Sequence, residues 1–118
     1  RIYAADCLAL TRAGLSLHAF SHITGGGLAA NLARVLPPGL ALDIDRATWR
    51  PQPVFALIAS LGGVPASEME RTFNMGIGMV VIVAPDEVEE VESRLRAAGE
   101  EPVRIGEVVE GAGTVTLL

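Results

Sequence analysis

The stretch from His22 to Gly27 carries the residue types best suited to holding a ligand. It reads His22-Ile23-Thr24 followed by three consecutive glycines. It separates an apolar run at 15–20 from a segment at 28–36 in which apolar residues recur at the spacing of a helix. This pattern predicts a strand-to-helix turn. Such a turn directs bare backbone N–H groups at a phosphate or another anion, while His22 could donate a hydrogen bond or carry a proton. The alternative is that the glycines only permit a tight turn.

A second glycine-containing stretch, residues 71–78, leads into a strongly apolar segment. Asn74 lies two residues before Gly76 and four before Gly78, so a ligand could approach the backbone closely while an amide side chain orients it. The alternative is that glycine lets a strand pass tightly beneath a helix. Arg71 is expected to pair with Glu68 or Glu70 as an ordinary surface contact.

Other reactive residue types have simpler interpretations. Asp43 and Asp45 lie two apart in a predicted strand, so both side chains would be on the same face. They could bind a divalent cation there, but we prefer the interpretation that this face of the strand is exposed to solvent. Cys7, the only cysteine, is expected to be a small core residue. The chain has no lysine, which excludes a Schiff-base lysine and a phosphate-loop lysine from its own residues.

The elements that must position these residues follow from hydrophobic periodicity and from glycine and proline punctuation. Helices are predicted at 2–12, 28–35, 54–61, 67–71 and 85–98, and strands at 15–21, 40–45, 75–83, 103–109 and 114–118. The strand at 75–83 is predicted to be central and buried on both faces, and 75–109 to form a right-handed βαβ crossover. The fold class is α/β in the broad, α+β sense: a sandwich of one mixed sheet and packed helices, without an internal domain boundary.

Composition excludes several classes of function. The 118 residues are 50% hydrophobic, but no apolar run approaches the roughly 20 residues of a membrane helix. The net charge is −5 and no basic patch is present, so nucleic acid and membranes are not expected partners. One cysteine excludes an internal disulfide framework, and no secretory signal is recognisable, which predicts a cytoplasmic protein.

Taken together, the two glycine stretches resemble a known pair of motifs. Residues 22–37 read HITGGGLAANLARVLP, and residues 71–79 read RTFNMGIGM. They resemble the C-terminal domain of aminoimidazole ribonucleotide synthetases, also called phosphoribosylformylglycinamidine cyclo-ligases. The spacing between the motifs, Trp49, the Pro53-Val54-Phe55 triplet, Gly99 and Ile105-Gly106 also match, so the resemblance covers nearly the whole chain.

The resemblance implies an ATP-dependent ligase of purine biosynthesis. In this family ATP activates the amide oxygen of formylglycinamidine ribonucleotide, an internal nitrogen closes the imidazole ring, and ADP and phosphate are released. ATP and Mg²⁺ are held mainly by an N-terminal domain that also forms a homodimer, and the C-terminal domain closes over the substrate. The chain begins without methionine and lacks both that domain and an earlier strand and loop. We therefore expect an N-terminally truncated C-terminal-domain fragment, inactive by itself.

The resemblance also assigns candidate residues. Substrate contacts are implied for His22, Thr24, Gly25, Gly26 and Gly27, and for Asn74 and Gly76 on the facing loop. No metal ligand and no proton-transfer residue is assigned. Gly26→Val is expected to block ligand approach with little loss of fold. The alternatives are the related amidotransferase-synthetase of the same pathway, thiamine-monophosphate kinase, selenophosphate synthetase, and a non-catalytic module that binds a phosphate ligand.

Overall fold

A computed structural model describes residues 1–118 as five α-helices and five β-strands. The helices are α1 (Ala4–Arg12), α2 (Gly27–Ala33), α3 (Pro53–Gly62), α4 (Ala66–Thr72) and α5 (Val88–Ala97). The strands are β1 (Leu17–His22), β2 (Leu40–Ile44), β3 (Met79–Val83), β4 (Gly106–Glu110) and β5 (Val115–Leu117). Every predicted helix and strand is therefore present, with bounds that shift by a few residues.

Glycine and proline set several of these bounds. α3 begins at Pro53, whose missing N–H costs nothing in a first helical turn, and it ends before Gly63, whose φ of 60° lies in the left-handed region. α5 carries Glu89 and Glu90 in its first turn and Arg94 and Arg96 in its last, an order that complements the helix dipole.

The strands form two sheets. β1 pairs antiparallel with β3, and β2 lies at the centre of a three-stranded sheet between β4 and β5. The β2–β4 pair is antiparallel, whereas the β2–β5 pair is parallel, so this second sheet is mixed. The predicted α+β class with a mixed sheet and packed helices is confirmed.

The predicted βαβ crossover across 75–109 is wrong. β3 and β4 belong to different sheets, because the chain after α5 returns to pair with β2 and not beside β3. β3 is also not a central strand. All five of its side chains are half-buried, since it lies in a two-stranded sheet, and residues 75–78 form a turn before it. An apolar run indicates burial, but it does not identify the partner strand.

The core lies between the two sheets and around α2. Its buried side chains are Ile23, Leu28, Leu32, Leu42, Ile44 and Ile105. Val80 and Ile82 of β3 pack against this cluster from the other sheet. Leu32 is completely buried, so α2 is the element through which the core fixes the glycine turn that precedes it. No helix in the structure has both the length and the apolar character needed to span a bilayer.

Candidate functional site

The glycine stretch forms the predicted strand-to-helix turn. It connects the end of β1 at His22 to the start of α2 at Gly27. The turn is closed by the Gly27 N–H, which donates to the Thr24 carbonyl at 3.1 Å. Because Gly27 uses its own N–H to close the turn, the amides that the turn itself can offer to a ligand are the two preceding ones. The N–H groups of Gly25 and Gly26 donate to no protein atom.

The fold requires glycine at two of these three positions, for different reasons. Gly27 has a φ of 73°, and a β-carbon there would lie 1.7 Å from the Glu70 carbonyl oxygen, so close packing on α4 excludes any side chain. Gly26 has a φ of 100°, which L-residues rarely adopt. Gly25 has no such φ, and a β-carbon there would meet no atom within 4 Å. Only at Gly25 does the fold itself leave room for a side chain.

This geometry corrects the expectation for Gly26→Val. The substitution would force a β-branched residue into left-handed backbone and bring its β-carbon to 3.3 Å from that of Ala30. A loss of binding in that variant would therefore report backbone strain as well as blocked access. Gly25 is the position at which ligand approach can be tested separately.

The second stretch forms a turn between α4 and β3. The Asn74 side-chain oxygen accepts the Gly76 N–H at 3.0 Å, and its backbone carbonyl accepts the Ile77 N–H at 3.0 Å. Met75 has a φ of 51°, and its carbonyl accepts the Trp49 indole N–H at 3.1 Å. The side-chain oxygen of Asn74 therefore shapes the turn, and the side-chain nitrogen is the part that has no protein partner.

The two turns lie against each other. His22 is opposite Met79 in the β1–β3 register, and the Ile23 N–H donates to the Gly78 carbonyl at 2.9 Å. Gly27 packs against the carbonyl of Glu70 in α4, four residues before Asn74. The structure thus brings all seven predicted site residues to the same end of the β1–β3 sheet.

Tyr3 also lies at this site, although no sequence motif pointed to it. Its ring contacts the exposed His22 in an edge-on arrangement, with a centroid separation of 5.8 Å. Its hydroxyl occupies the space beside Gly78 where a side chain would begin, because a β-carbon built on Gly78 would lie 1.9 Å from the hydroxyl oxygen. Tyr3 immediately precedes α1 and is distant in sequence from both glycine stretches, so only the fold reveals this proximity.

Asn31 is a second residue whose role the sequence did not reveal. It is buried within α2, and its side-chain nitrogen lies 3.2, 3.3 and 2.8 Å from the carbonyl oxygens of Thr24, Gly25 and Gly27. Its side-chain oxygen accepts from the Arg34 guanidinium at 3.4 Å. One polar side chain thus ties the whole glycine turn to the helix that follows it.

A small cavity lies behind the two turns. Its volume is about 210 Å³, and Leu28, Trp49, Met75 and Leu117 are among its lining residues. Arg46 and Glu70 line its polar side as a bidentate ion pair, with N–O distances of 2.6 and 2.8 Å. Both carboxylate oxygens of Glu70 accept hydrogen bonds from Arg46, so this ion pair forms the charged part of the cavity lining.

The remaining candidates have structural roles. Asp45 lies just beyond β2, and its carboxylate accepts the Ala47 N–H at 2.8 Å, so it shapes a turn and does not share a strand face with Asp43. Arg71 pairs with Glu68 at 2.8 Å, as expected. Cys7 is half-buried and lies outside the core that was predicted to include it. Its partial burial raises the pKa of the thiol, which favours the unreactive protonated form.

Comparisons with known proteins agree with these motifs. The family model for the C-terminal domain of AIR synthase related proteins matches residues 1–117. A Cyanothece phosphoribosylformylglycinamidine cyclo-ligase is 49% identical over 115 residues, which are 98% of this chain and 31% of that protein. A Streptomyces fradiae protein provisionally given the same enzyme name is 53% identical over 110 residues, which are 93% of this chain and 60% of that protein.

Solved structures support the fold. HypE of E. coli, a hydrogenase maturation protein, superposes with a TM-score of 0.73 at 22% identity, over 98% of this chain and 35% of HypE. At this identity the likeness concerns the fold alone. The family model, by contrast, covers almost every residue, and it includes both glycine turns. The chain belongs to the family of AIR synthase related proteins, as their C-terminal domain.

Proposed function

We propose that this chain is the substrate-covering C-terminal domain of a phosphoribosylformylglycinamidine cyclo-ligase. The complete enzyme would close the imidazole ring of aminoimidazole ribonucleotide from formylglycinamidine ribonucleotide at the expense of ATP. Support comes from two relatives with this enzyme name at 49% and 53% identity. The chain spans about a third of one of them and 60% of the other, so the activity is proposed for the longer protein.

One observation carries this proposal: the two family motifs meet at one surface that is open to a ligand. The exposed turn at Gly25 and Gly26 offers two free N–H groups, and the Asn74–Gly78 turn adjoins it through the 2.9 Å hydrogen bond between Ile23 and Gly78. Neither backbone conformation nor packing requires glycine at position 25. Close approach of the ribonucleotide would account for its presence there.

The residues of this chain would bind and orient the substrate. Gly25 and Gly26 would donate backbone hydrogen bonds to a charged or carbonyl oxygen, with Thr24 and the side-chain nitrogen of Asn74 beside them. His22 is exposed next to Tyr3, where it could contact the same ligand. Holding the reacting groups in a fixed orientation is itself a substantial part of catalysis for an intramolecular ring closure.

ATP and Mg²⁺ belong, in this proposal, to the N-terminal domain. No three His, Cys, Asp or Glu side chains in residues 1–118 are grouped so that they could hold a metal ion. The chain also lacks the lysine that commonly contacts nucleotide phosphates. We place the complete enzyme in the cytoplasm as a homodimer, with its own N-terminal domain as the partner of this one.

The direct test is Gly25→Val in the full-length protein. The valine would project into open space above the turn, so we expect an unchanged melting temperature and a KM for formylglycinamidine ribonucleotide raised by at least about tenfold, or ~1.4 kcal/mol. Ala33→Val, at the exposed far end of α2, is the matched control and should leave KM unchanged. A normal KM in Gly25→Val would contradict the proposed contact.

A further inference from the structure

The glycine turn holds its shape through a side chain that lies outside it. Asn31 is 5% exposed, and it is one of only two buried polar residues. Its side-chain amide has two hydrogens, and the carbonyl oxygens of Thr24, Gly25 and Gly27 all lie within 3.3 Å of its nitrogen. No other side chain hydrogen-bonds to these carbonyls, so Asn31 is the one side chain that supports the turn, in addition to the backbone hydrogen bond from the Gly27 N–H to the Thr24 carbonyl.

The orientation of the free amides follows from peptide geometry. Every peptide bond in the chain is trans, and in a trans peptide the carbonyl and the following N–H point in opposite directions. Because the Thr24 carbonyl points inward to Asn31, the Gly25 N–H points outward. Because the Gly25 carbonyl also points toward the Asn31 side chain, the Gly26 N–H points outward as well.

We propose that Asn31 is the positioning residue of the candidate site, which turns the Gly25 and Gly26 amides toward the ribonucleotide. This inference rests on the proposed function for the identity of the ligand. The bound carbonyls keep the two donors directed outward before the ligand arrives, so binding does not have to order the turn. The amide nitrogen faces the turn because three carbonyl oxygens surround it, while the amide oxygen lies 3.4 Å from the Arg34 guanidinium, which can only donate hydrogen bonds.

Two substitutions separate positioning from stability. Asn31→Ala removes the donor, and Asn31→Asp replaces it with a group of nearly the same shape that only accepts hydrogen bonds when ionised. In Asn31→Asp a carboxylate oxygen would face three carbonyl oxygens, so the turn should open. The matched control is Leu32→Val, the next residue of α2, which is fully buried and makes no hydrogen bond to the turn through its side chain.

The experiment uses the full-length protein labelled with ¹⁵N-glycine. Both Asn31 variants should shift the Gly25 and Gly26 amide resonances and raise the KM for formylglycinamidine ribonucleotide at least tenfold, with a much smaller change in the KM for ATP. Leu32→Val should lower the melting temperature but leave those resonances and both KM values near the wild type.

Two results would overturn the role of Asn31. One is that the Gly25 and Gly26 resonances stay at their wild-type positions in both Asn31 variants. The other is that they move while the KM for the ribonucleotide stays normal. If the wild-type protein does not use this ribonucleotide at all, the proposed function fails, and the same amide resonances still decide whether Asn31 sets the turn.

Discussion

At the scale of single residues, the fold explains two of the three adjacent glycines and sets no requirement for the third. Gly27 is fixed by packing against the Glu70 carbonyl and Gly26 by its backbone conformation, whereas nothing in the fold requires Gly25. From the sequence these causes are indistinguishable, because a run of glycines records only that side chains are absent. The structure separates the two glycines that the fold requires from the one position at which a side chain would fit, and this difference decides which substitution tests the proposed binding.

The free energy of unfolding should depend strongly on Gly27, which the packing requires, and only weakly on Gly25. Gly27→Ala places a β-carbon against a backbone oxygen and forces alanine into left-handed backbone, so we expect a loss of about 2 kcal/mol or more in the free energy of unfolding. Gly25→Ala, two residues earlier, should change it by less than about 0.5 kcal/mol. Urea unfolding of the two variants measures the difference, and equal stabilities would show that the close packing on α4 is wrong.

At the scale of elements, local patterns predicted the helices and strands well and their partners poorly. Proline and glycine end helices by covalent geometry, which acts within a few residues, and so α3 and its neighbours were found near their true bounds. Strand pairing depends on contacts between distant residues, so the assignment of β3 and β4 to different sheets was missed. Tyr3 was missed for the same reason, because it contacts His22 and Gly78, which are far from it in sequence. The partners of Asn31 are close in sequence, but only the structure shows that its side chain turns back to the carbonyls of Thr24, Gly25 and Gly27.

The helices also differ in how far they depend on the core. Leu32→Ala in α2 removes a fully buried side chain and should cost about 2–5 kcal/mol of unfolding free energy. Leu61→Ala in α3 alters a side chain that is 80% exposed, and the expected cost is below about 1 kcal/mol. Thermal or denaturant unfolding compares the two, and a large loss in Leu61→Ala would mean that α3 is buried in solution.

At the scale of the whole molecule, the two motifs that suggested the family from the sequence are the two turns that the fold places side by side. The family model covers residues 1–117 and so includes both turns, and the Ile23–Gly78 hydrogen bond links the turns directly. Residue types could predict that each turn suits a ligand. They could not show that both turns lie at one surface, because their proximity depends on the antiparallel pairing of β1 with β3.

The measurement that tests this account most directly is an NMR titration of the full-length, ¹⁵N-glycine-labelled protein with formylglycinamidine ribonucleotide. We predict saturable shifts at Gly25, Gly26 and Gly76, and none at Gly113, which lies in the turn before β5. Saturable binding that leaves Gly25 and Gly26 unmoved would contradict the claim that the glycine turn contacts the substrate.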